Sequence, residues 1–208
     1  MNNKFPIKKY NKFLEYFRDY NQSLNDTINN ISTKDLLKIY DLIEKAIKSN
    51  SNIFICGNGG SSSVANHFLC DFQKGLLLDN KLRLNTHSLT ANTDLITAIS
   101  NDISYDEIFR LQLKSLSKKN DLLILFSVSG NSKNIINAAK YGKLKKLKTV
   151  SIVGFKNSKV KKYSNVLLEL NNHNFGVTED IFQILMHTIS QYMRQKNVNK
   201  YRIVKKYF

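Results

Sequence analysis

Cysteine and proline are scarce in this chain of 208 residues, which contains two cysteines and one proline. Two cysteines are too few for the disulfide framework of a small secreted protein. No apolar run approaches the roughly 20 residues that a membrane-spanning helix needs. The charged amino terminus also lacks the apolar segment of a secretory signal. These absences predict a soluble protein of the cytoplasm with no membrane partner.

Acidic residues are also in short supply, with 16 Asp and Glu against 32 Lys and Arg and a formal net charge of +16. A surplus of this size raises the question of a nucleic-acid partner. Only five of the basic residues are arginines, and the lysines are spread along the whole chain. Because arginine is the usual side chain for bidentate contacts with bases, we expect no nucleic-acid partner. The same charge would attract an anionic substrate.

The two cysteines have different predicted environments. Cys56 ends an apolar run and is predicted to be a buried thiol. Cys70 comes three positions after His67 on a predicted helix. Packing in the core is the favoured interpretation of Cys70, and a role as a metal ligand stays open.

The order of the predicted elements indicates an α/β protein. Helical spacing of apolar residues predicts two helices within residues 10–50, before the first strand. Strands are predicted at 52–57, 82–90, 121–128, 148–155 and 164–170. Helices alternate with them, at 61–74, at 106–118, after a turn within 129–145, and at 178–196. Such alternation favours a parallel sheet covered on both faces, in one domain with an N-terminal helical arm.

Two of the predicted strands end in turns of small residues that lead into helices. The first turn has the sequence GNGGS at residues 57–61, and the second has SVSGNS at residues 127–132. Parallel sheets bind ligands beyond the carboxyl ends of their strands, where helix amino termini offer unpaired N–H groups to anions. Glycine and serine are also ordinary turn residues. Since the pattern occurs twice, we predict a phosphate or sugar site, although neither turn has Walker or dinucleotide-binding spacing.

Two predicted helices each carry an imidazole and a carboxylate. His67 and Asp71 are four residues apart and therefore lie on one face of their helix. Glu179, Gln183 and His187 also step by four along the last helix, drifting by about 40° per step. If the two faces met, they would suit Zn²⁺ or a similar divalent ion, or would pair an acid with a base. The spacing alone does not decide the matter, because helices often carry such pairs.

Four motifs together resemble the signature of sugar isomerase (SIS) domains, and most closely that of the sedoheptulose 7-phosphate isomerases, also called phosphoheptose isomerases. The motifs are CGNGGSSSVANHF at 56–68, NDISYDEIF at 101–109, SVSGNS at 127–132 and an ED…H pattern at 179–187. They occur in the order of the family, and the resemblance covers nearly the whole chain. It implies a five-stranded parallel sheet flanked by helices and a homotetramer with active sites at subunit boundaries.

The resemblance also implies a division of the chain and an activity. One SIS domain would span 1–208, with helices in 1–50 that pack on partner subunits, an α/β core at 51–196 and a tail at 197–208. Members of the family convert sedoheptulose 7-phosphate into D-glycero-D-manno-heptose 7-phosphate, which supplies heptose for bacterial lipopolysaccharide or capsule. They use no redox cofactor, and many bind Zn²⁺, so we expect one Zn²⁺ in each subunit.

The motifs assign roles to single residues by their position. The resemblance implies that the substrate is bound by Asn58, Gly59, Ser61, Asp102, Ser127, Ser129 and Ser132. The last three of these would hold the phosphate. The implied metal ligands are His67, Asp71, Glu179 and His187. Asp71 would be the base that moves a proton between C1 and C2 through an enediol, and His187 would shuttle protons at the oxygens.

The chain departs from the family pattern at three positions. Asp71 stands where the family usually has a catalytic Glu, Glu179 where it often has Gln, and Val128 where the phosphate loop has Thr. Because Asp is one methylene shorter than Glu, the first change affects the predicted base most directly. Other SIS proteins are regulators that sense sugar phosphates or an adaptor of a replication initiator, and an isomerase of another phosphosugar is a further alternative. The joint presence of two histidines and two carboxylates favours the enzyme.

Overall fold

The computed structural model describes residues 5–75 and 84–197, which form a sheet of five strands surrounded by helices. The strands are β1 (Ile53–Cys56), β2 (Thr86–Ser88), β3 (Leu122–Ser127), β4 (Lys148–Val153) and β5 (Val166–Glu169). The helices are α1 (Phe13–Asn29), α2 (Thr33–Lys48), α3 (Gly60–Cys70), α4 (Thr93–Asp102), α5 (Ile108–Leu116), α6 (Lys133–Leu144) and α7 (Phe175–Asn197). Within this part of the chain, no helix is both long and apolar enough to cross a membrane. Residues 82–83 of a predicted strand and 198–208 of the predicted tail lie outside the described residues.

All strand pairings in the described sheet are parallel. The strand order is β2-β1-β3-β4-β5, so β1 and β3 are neighbours although α3, β2, α4 and α5 separate them in sequence. Their register aligns Cys56 of β1 with Leu125 of β3. The predicted five-stranded parallel sheet between helices is confirmed. The carboxyl ends of β1 and β3 consequently lie side by side, and the turns that follow them share one edge of the sheet.

The two faces of the sheet are packed by different helices. Successive side chains of a strand point to opposite faces, and in β3 Ile124 belongs to one hydrophobic cluster and Leu125 to the other. The first cluster contains buried residues of α2, α3 and α7, and the second contains buried residues of α4, α5 and α6. Helices α3 and α7 therefore lie on the same face, where their side chains can meet.

The N-terminal helices also pack against the core of their own chain. The Asn172 side chain donates hydrogen bonds to Ser23 Oγ at 3.1 Å and to Thr27 Oγ1 at 2.9 Å, both on α1. The Tyr20 hydroxyl donates to a carboxylate oxygen of Asp180 on α7. Several large apolar side chains of α1 and α2 nevertheless remain exposed: Phe13, Leu14, Phe17 and Leu37. Packing of these helices on partner subunits stays a prediction.

One helix was missing from the sequence prediction. Residues 93–102, which follow the strand predicted at 82–90, form α4, and within the described part of that strand, 84–90, the three residues of β2 are the ones in strand conformation. The apolar and β-branched residues of α4 give a weak helical signal, because such side chains lower helix propensity. The sequence did contain a capping signal, because Asn is a favoured N-cap residue and Asn92 stands directly before α4. In the structure, Asn92 Oδ1 accepts a hydrogen bond from the Leu95 N–H at 2.9 Å.

The two cysteines differ in burial. Cys56 is fully buried, as predicted, and burial raises the pKa of its thiol. The predicted packing of Cys70 in the core is wrong, because Cys70 is exposed at the end of α3. The buried face of α3 includes Val64 and Phe68, and Cys70 lies two positions after Phe68, about 200° around the helix.

Candidate active site

A cavity of about 370 Å³ lies where the turns after β1 and β3 meet. Six predicted substrate ligands are in its wall: Asn58, Gly59, Ser61, Ser127, Ser129 and Ser132. Gly60, Val128, Phe175 and Glu179 line it as well. Its size is within the range of small-molecule sites. The structure therefore brings the two small-residue turns together in one concave site, which is called the serine cradle below.

The turn after β3 supplies hydroxyl groups to the serine cradle. Ser127 Oγ accepts a hydrogen bond from the Gly130 N–H at 3.1 Å, and Ser129 Oγ accepts one from the Asn131 N–H at 3.2 Å. A hydroxyl oxygen that accepts a bond still carries a proton that it can donate to an anion. Ser132 precedes α6 as its N-cap, yet its side chain makes no capping hydrogen bond. Gly130 has φ of +63°, a backbone conformation that favours glycine in this tight turn.

The turn after β1 is held by side chains that the sequence analysis did not single out. The amides of Asn58 and Asn134 exchange two hydrogen bonds of 2.9 Å. The Tyr105 hydroxyl donates to Asn58 Oδ1 at 3.0 Å. Tyr105 lies within the NDISYDEIF motif, which therefore contained part of the signal, whereas Asn134 lies two positions beyond the SVSGNS motif. These bonds fix the Asn58 amide at the mouth of the turn.

Asp102 is not in the wall of the serine cradle. It is the last residue of α4, is exposed, and accepts a hydrogen bond from the Asn101 side chain at 2.8 Å. Tyr105 lies three residues further on, and its hydroxyl contacts Asn58 in the wall of the cradle. A role for Asp102 in substrate binding stays a prediction.

Glu179 lies in the serine cradle, against the first turn of α3. The Ser61 hydroxyl donates to Glu179 Oε1 at 3.2 Å. Gly60 leaves room for the carboxylate, because a Cβ at this position would lie 2.1 Å from Glu179 Oε2. This carboxylate is thus close to the groups that would bind a sugar.

A second group of predicted site residues comes together where α3 and α7 pack against each other. His187 Nε2 lies 3.0 Å from His67 Nε2, and one oxygen of Asp71 lies 3.4 Å from His67 Nε2. The other oxygen of Asp71 is 3.7 Å from His187 Nε2. All three side chains are partly open to solvent. The helix faces that carry these three residues meet, and the residues form what we call the imidazole cluster.

The imidazole cluster has the donor atoms and spacing of a metal site. The ligand atoms of His67, Asp71 and His187 all lie within 4.8 Å of one another. Ligand atoms that lie about 2.0–2.1 Å from a zinc ion in a tetrahedral site are about 3.4 Å from one another. This value is close to the observed separations between the ligand atoms of His67, Asp71 and His187. Two imidazole nitrogens and a carboxylate suit Zn²⁺. Glu179 does not belong to this group in the described structure, and its predicted role as a metal ligand would require it to leave Ser61.

Two further side chains support the imidazole cluster. The Gln183 amide nitrogen lies 2.9 Å from His187 Nε2, one turn earlier on α7. The Ser190 hydroxyl lies 3.3 Å from an oxygen of Asp71 and 3.0 Å from the backbone oxygen of His187, where it can donate to either. Gln183 was visible in the spacing of the last helix, whereas Ser190 had no sequence signal. Asp71 itself begins a π-helical turn, Asp71–Gly75, that ends α3, and such turns often occur at functional sites.

The serine cradle and the imidazole cluster are connected by the same two helices. Ser61 and His67 are six residues apart on α3, a rise of about 9 Å. Glu179 and His187 are eight residues apart on α7, a rise of about 12 Å. Because Ser61 contacts Glu179 and His67 contacts His187, the two helices run in parallel between the sites. An extended ligand could therefore occupy the cradle at one end and reach the cluster at the other.

Comparison with known proteins identifies the family. The family model described as SIS domain matches residues 15–154. A phosphoheptose isomerase from Helicobacter pylori (strain Shi470) is 32% identical over 184 residues, which cover 88% of this chain and 95% of the relative. The chain belongs to the phosphoheptose isomerase family of SIS-domain proteins. A probable phosphoheptose isomerase from Thermoplasma acidophilum is 31% identical over 80% of this chain and 91% of its own length.

A solved structure of a phosphoheptose isomerase from Neisseria gonorrhoeae has the same fold. It superposes with a TM-score of 0.78 at 23% identity, covering 88% of this chain and 96% of that chain. The three departures from the phosphoheptose isomerase pattern have different surroundings here. Val128 is buried in the core cluster and also lines the serine cradle. Asp71 lies in the imidazole cluster and Glu179 in the serine cradle, so the two carboxylate changes fall in different halves of the site.

Proposed function

We propose that this protein is a phosphoheptose isomerase that interconverts sedoheptulose 7-phosphate and D-glycero-D-manno-heptose 7-phosphate. The observation that carries the proposal is the pairing of a hydroxyl-lined cavity with an imidazole and carboxylate cluster on one pair of parallel helices. The cavity suits the phosphate end of a linear sugar, and the cluster suits the end at which a proton is moved. Membership of the phosphoheptose isomerase family supports the same substrate.

The serine cradle would hold the phosphate away from the reacting carbons. Ser127, Ser129 and Ser132 offer three hydroxyl groups beside the amino terminus of α6. Hydrogen bonds to a charged phosphate are stronger than those between neutral groups. Binding energy obtained at this remote end would position C1 and C2 against the imidazole cluster.

The reaction requires a base at carbon and a proton carrier at oxygen. Asp71 is suited to remove the proton because its carboxylate is open to the site and is oriented by Ser190. His187 would move protons between the substrate oxygens, and its position is fixed by His67 and Gln183. Returning the proton to the neighbouring carbon completes the exchange of aldose and ketose without a redox cofactor.

His67, Asp71 and His187 would hold a divalent ion such as Zn²⁺. When bound, such an ion polarises the substrate oxygens as a Lewis acid. The separation of the two Nε2 atoms supports this assignment, as does the choice of nitrogen and carboxylate donors. Metal analysis of purified protein, with a His67→Ala variant beside it, tests the assignment independently of activity.

A homotetramer is part of the proposal. It is supported by the exposed apolar side chains on α1 and α2, since clusters of this kind commonly mark interfaces between subunits. Phosphorylated sugars are made and used inside cells, which favours the cytoplasm as the place of action. We further propose that the product supplies heptose for a surface glycan such as lipopolysaccharide or capsule.

The decisive experiment is direct conversion of the substrate. Purified protein is incubated with sedoheptulose 7-phosphate, and formation of the aldose is followed by NMR, with shorter ketose phosphates in parallel reactions. The proposal predicts turnover of the seven-carbon substrate and much slower turnover of the others. Binding without turnover would indicate a sugar-phosphate sensor instead, and preference for a shorter ketose would indicate another phosphosugar isomerase.

A further inference from the structure

A second and larger cleft lies between α6 and the 3₁₀ turn Lys159–Tyr163. It has a volume of about 780 Å³ and is lined by five lysines: Lys133, Lys140, Lys159, Lys161 and Lys162. Tyr163, Asn137, Ser158 and Asp106 are also in its wall. It shares no lining residue with the serine cradle. We call it the lysine cleft.

The positive charge of the lysine cleft is largely uncompensated. Of the described residues in its wall, Asp106 is the one carboxylate, and it lies 3.6 Å from Lys133 Nζ. Among the described residues, the other four lysines have no carboxylate within ion-pair distance. Two of them, Lys140 and Lys162, approach the Tyr163 ring at 5.8 and 5.9 Å from its centre. Ammonium groups gathered around one concavity create a positive potential that an anion would neutralise.

Ser158 adds an unused polar group to the same wall. Its side-chain oxygen is buried and has no hydrogen-bond partner within the part of the chain that the structure describes. Burial of a hydroxyl without a partner is unfavourable and is rare in folded proteins. This oxygen is closed to solvent, so a ligand in the cleft would reach it when the Ser158 side chain rotates towards the cleft. A hydrogen bond accepted from Ser158 in that position would remove this cost, and it would add a specific donor to the charge of the cleft.

The lysine cleft lies directly behind the turn that follows β3. The Lys159 N–H donates to Asn131 Oδ1 at 2.9 Å, and the Val160 N–H donates to the Gly130 oxygen at 3.1 Å. Gly130 and Asn131 belong to the turn that lines the serine cradle from its other side. The two sites are therefore separate in their lining residues but share one backbone segment as a partition.

We propose that the lysine cleft binds a small ligand carrying two or more phosphate groups. Lysine is a compact point charge that binds phosphate well, and the four ammonium groups that have no carboxylate partner in the described part of the chain match the three or four charges of a polyphosphate. A single phosphate would contact only part of this wall. The volume is that of a small-molecule site. Inorganic polyphosphates and nucleoside di- or triphosphates share this chemistry.

Calorimetric titration with inorganic tripolyphosphate tests the proposal, and ATP and orthophosphate serve as further probes. The variant Lys140→Gln/Lys159→Gln/Lys162→Gln should weaken tripolyphosphate binding by at least about tenfold, since three charge contacts are lost. The matched control Lys9→Gln/Lys34→Gln/Lys114→Gln removes the same charge from exposed positions elsewhere and should change it by less than about twofold. Equal loss in both variants would show attraction by net charge alone and would overturn the proposal.

Two single substitutions separate the lysine cleft from the serine cradle. Ser158→Ala keeps the net charge and removes only the unpaired hydroxyl, and it should weaken tripolyphosphate binding about tenfold without lowering the melting temperature. Ser129→Ala should leave tripolyphosphate binding unchanged. The inference fails if Ser158→Ala binds like the wild type, or if Ser129→Ala abolishes binding, because the probe would then occupy the cradle. ATP binding that is tighter than that of tripolyphosphate indicates a nucleotide ligand, and equal or weaker binding indicates an inorganic one. Orthophosphate should bind at least about tenfold more weakly than tripolyphosphate, and equal affinity would also overturn the inference.

Discussion

The two halves of the candidate active site are built in different ways. The serine cradle is formed by turns that directly follow two neighbouring strands, and its hydroxyls are fixed by bonds within the same few residues, as between Ser127 and Gly130. The imidazole cluster is formed by helices that are far apart in sequence, with His67 on α3 and His187 on α7. The cradle is therefore a product of local structure, and the cluster is a product of tertiary packing.

The two halves should contribute to different steps, the cradle to substrate binding and the cluster to the chemical reaction. The cradle offers neutral hydroxyls to a group that does not react, so it should influence mainly the affinity for the substrate. The cluster offers groups that accept and donate protons, so it should influence mainly the rate of the chemical step. Variants of the two halves should consequently change different kinetic constants.

The largest effect is expected in the imidazole cluster. His187→Ala should lower kcat by at least about a hundredfold and leave KM nearly unchanged, because it removes the proton carrier but not the phosphate site. Steady-state kinetics with sedoheptulose 7-phosphate measure both constants. His87→Ala, an exposed histidine on β2, is the matched control and should retain full kcat. A hundredfold rise in KM at constant kcat would place His187 in the binding half.

A smaller effect of the opposite kind is expected in the serine cradle. Ser129→Ala should raise KM by about tenfold or more, since a hydrogen bond to a charged group contributes about 1.5–3 kcal/mol. The value of kcat should fall much less. Ser115→Ala, on the exposed side of α5, is the control and should match the wild type in both constants. Equal KM in Ser129→Ala and wild type would remove this serine from the phosphate site.

Two glycines test how the turn after β1 is built. A Cβ at position 57 would lie 2.5 Å from the Ser61 backbone oxygen, so Gly57→Ala should destabilise the fold by about 1–3 kcal/mol. The three atoms nearest to a Cβ at position 60 all belong to the flexible end of Glu179. Gly60→Ala should therefore cost less than about 1 kcal/mol while displacing that carboxylate and altering KM. Denaturant unfolding of both variants compares them, and equal stability losses would contradict the local account of the cradle.

The same contrast explains what the sequence could predict. The position of the cradle was predictable because the strand, the small-residue turn and the helix are consecutive, and the resemblance to the family then named six of its lining residues. For His67 and His187 the spacing predicted the faces, but their meeting depends on α3 and α7 packing on the same side of the sheet. Glu179 was predicted beside His187, yet two steps of four residues rotate the helix by about 80° and raise it by about 12 Å. That displacement puts its carboxylate at Ser61 in the cradle.

Distant residues that support a site were the hardest to predict. Ser190 reaches Asp71 only because the two helices pack in one particular register. Tyr105 reaches Asn58 from the 3₁₀ turn Tyr105–Glu107, which follows the unpredicted helix α4. Neither contact follows from a periodic pattern, since each depends on where two separate segments come to lie.

The smallest effect concerns how α7, which carries half of the imidazole cluster, is anchored at its far end. Hydrogen bonds from Lys196, Lys48 and Tyr40 lower the pKa of Glu44 on α2 to about 2, from its ordinary value of 4.5. Because the pKa is lower in the folded protein, this contribution to stability is present above about pH 4.5 and is lost as the pH falls towards 2.

Glu44→Gln should therefore have a slightly lower melting temperature than the wild type at pH 7. Its melting temperature should also fall less steeply than that of the wild type between pH 4.5 and 2. The difference should shrink in high salt, because the pair is exposed. If the melting temperatures of Glu44→Gln and the wild type fell in parallel in acid, the bond between Glu44 and Lys196 would not anchor α7. The imidazole cluster would then depend on the packing of the core alone.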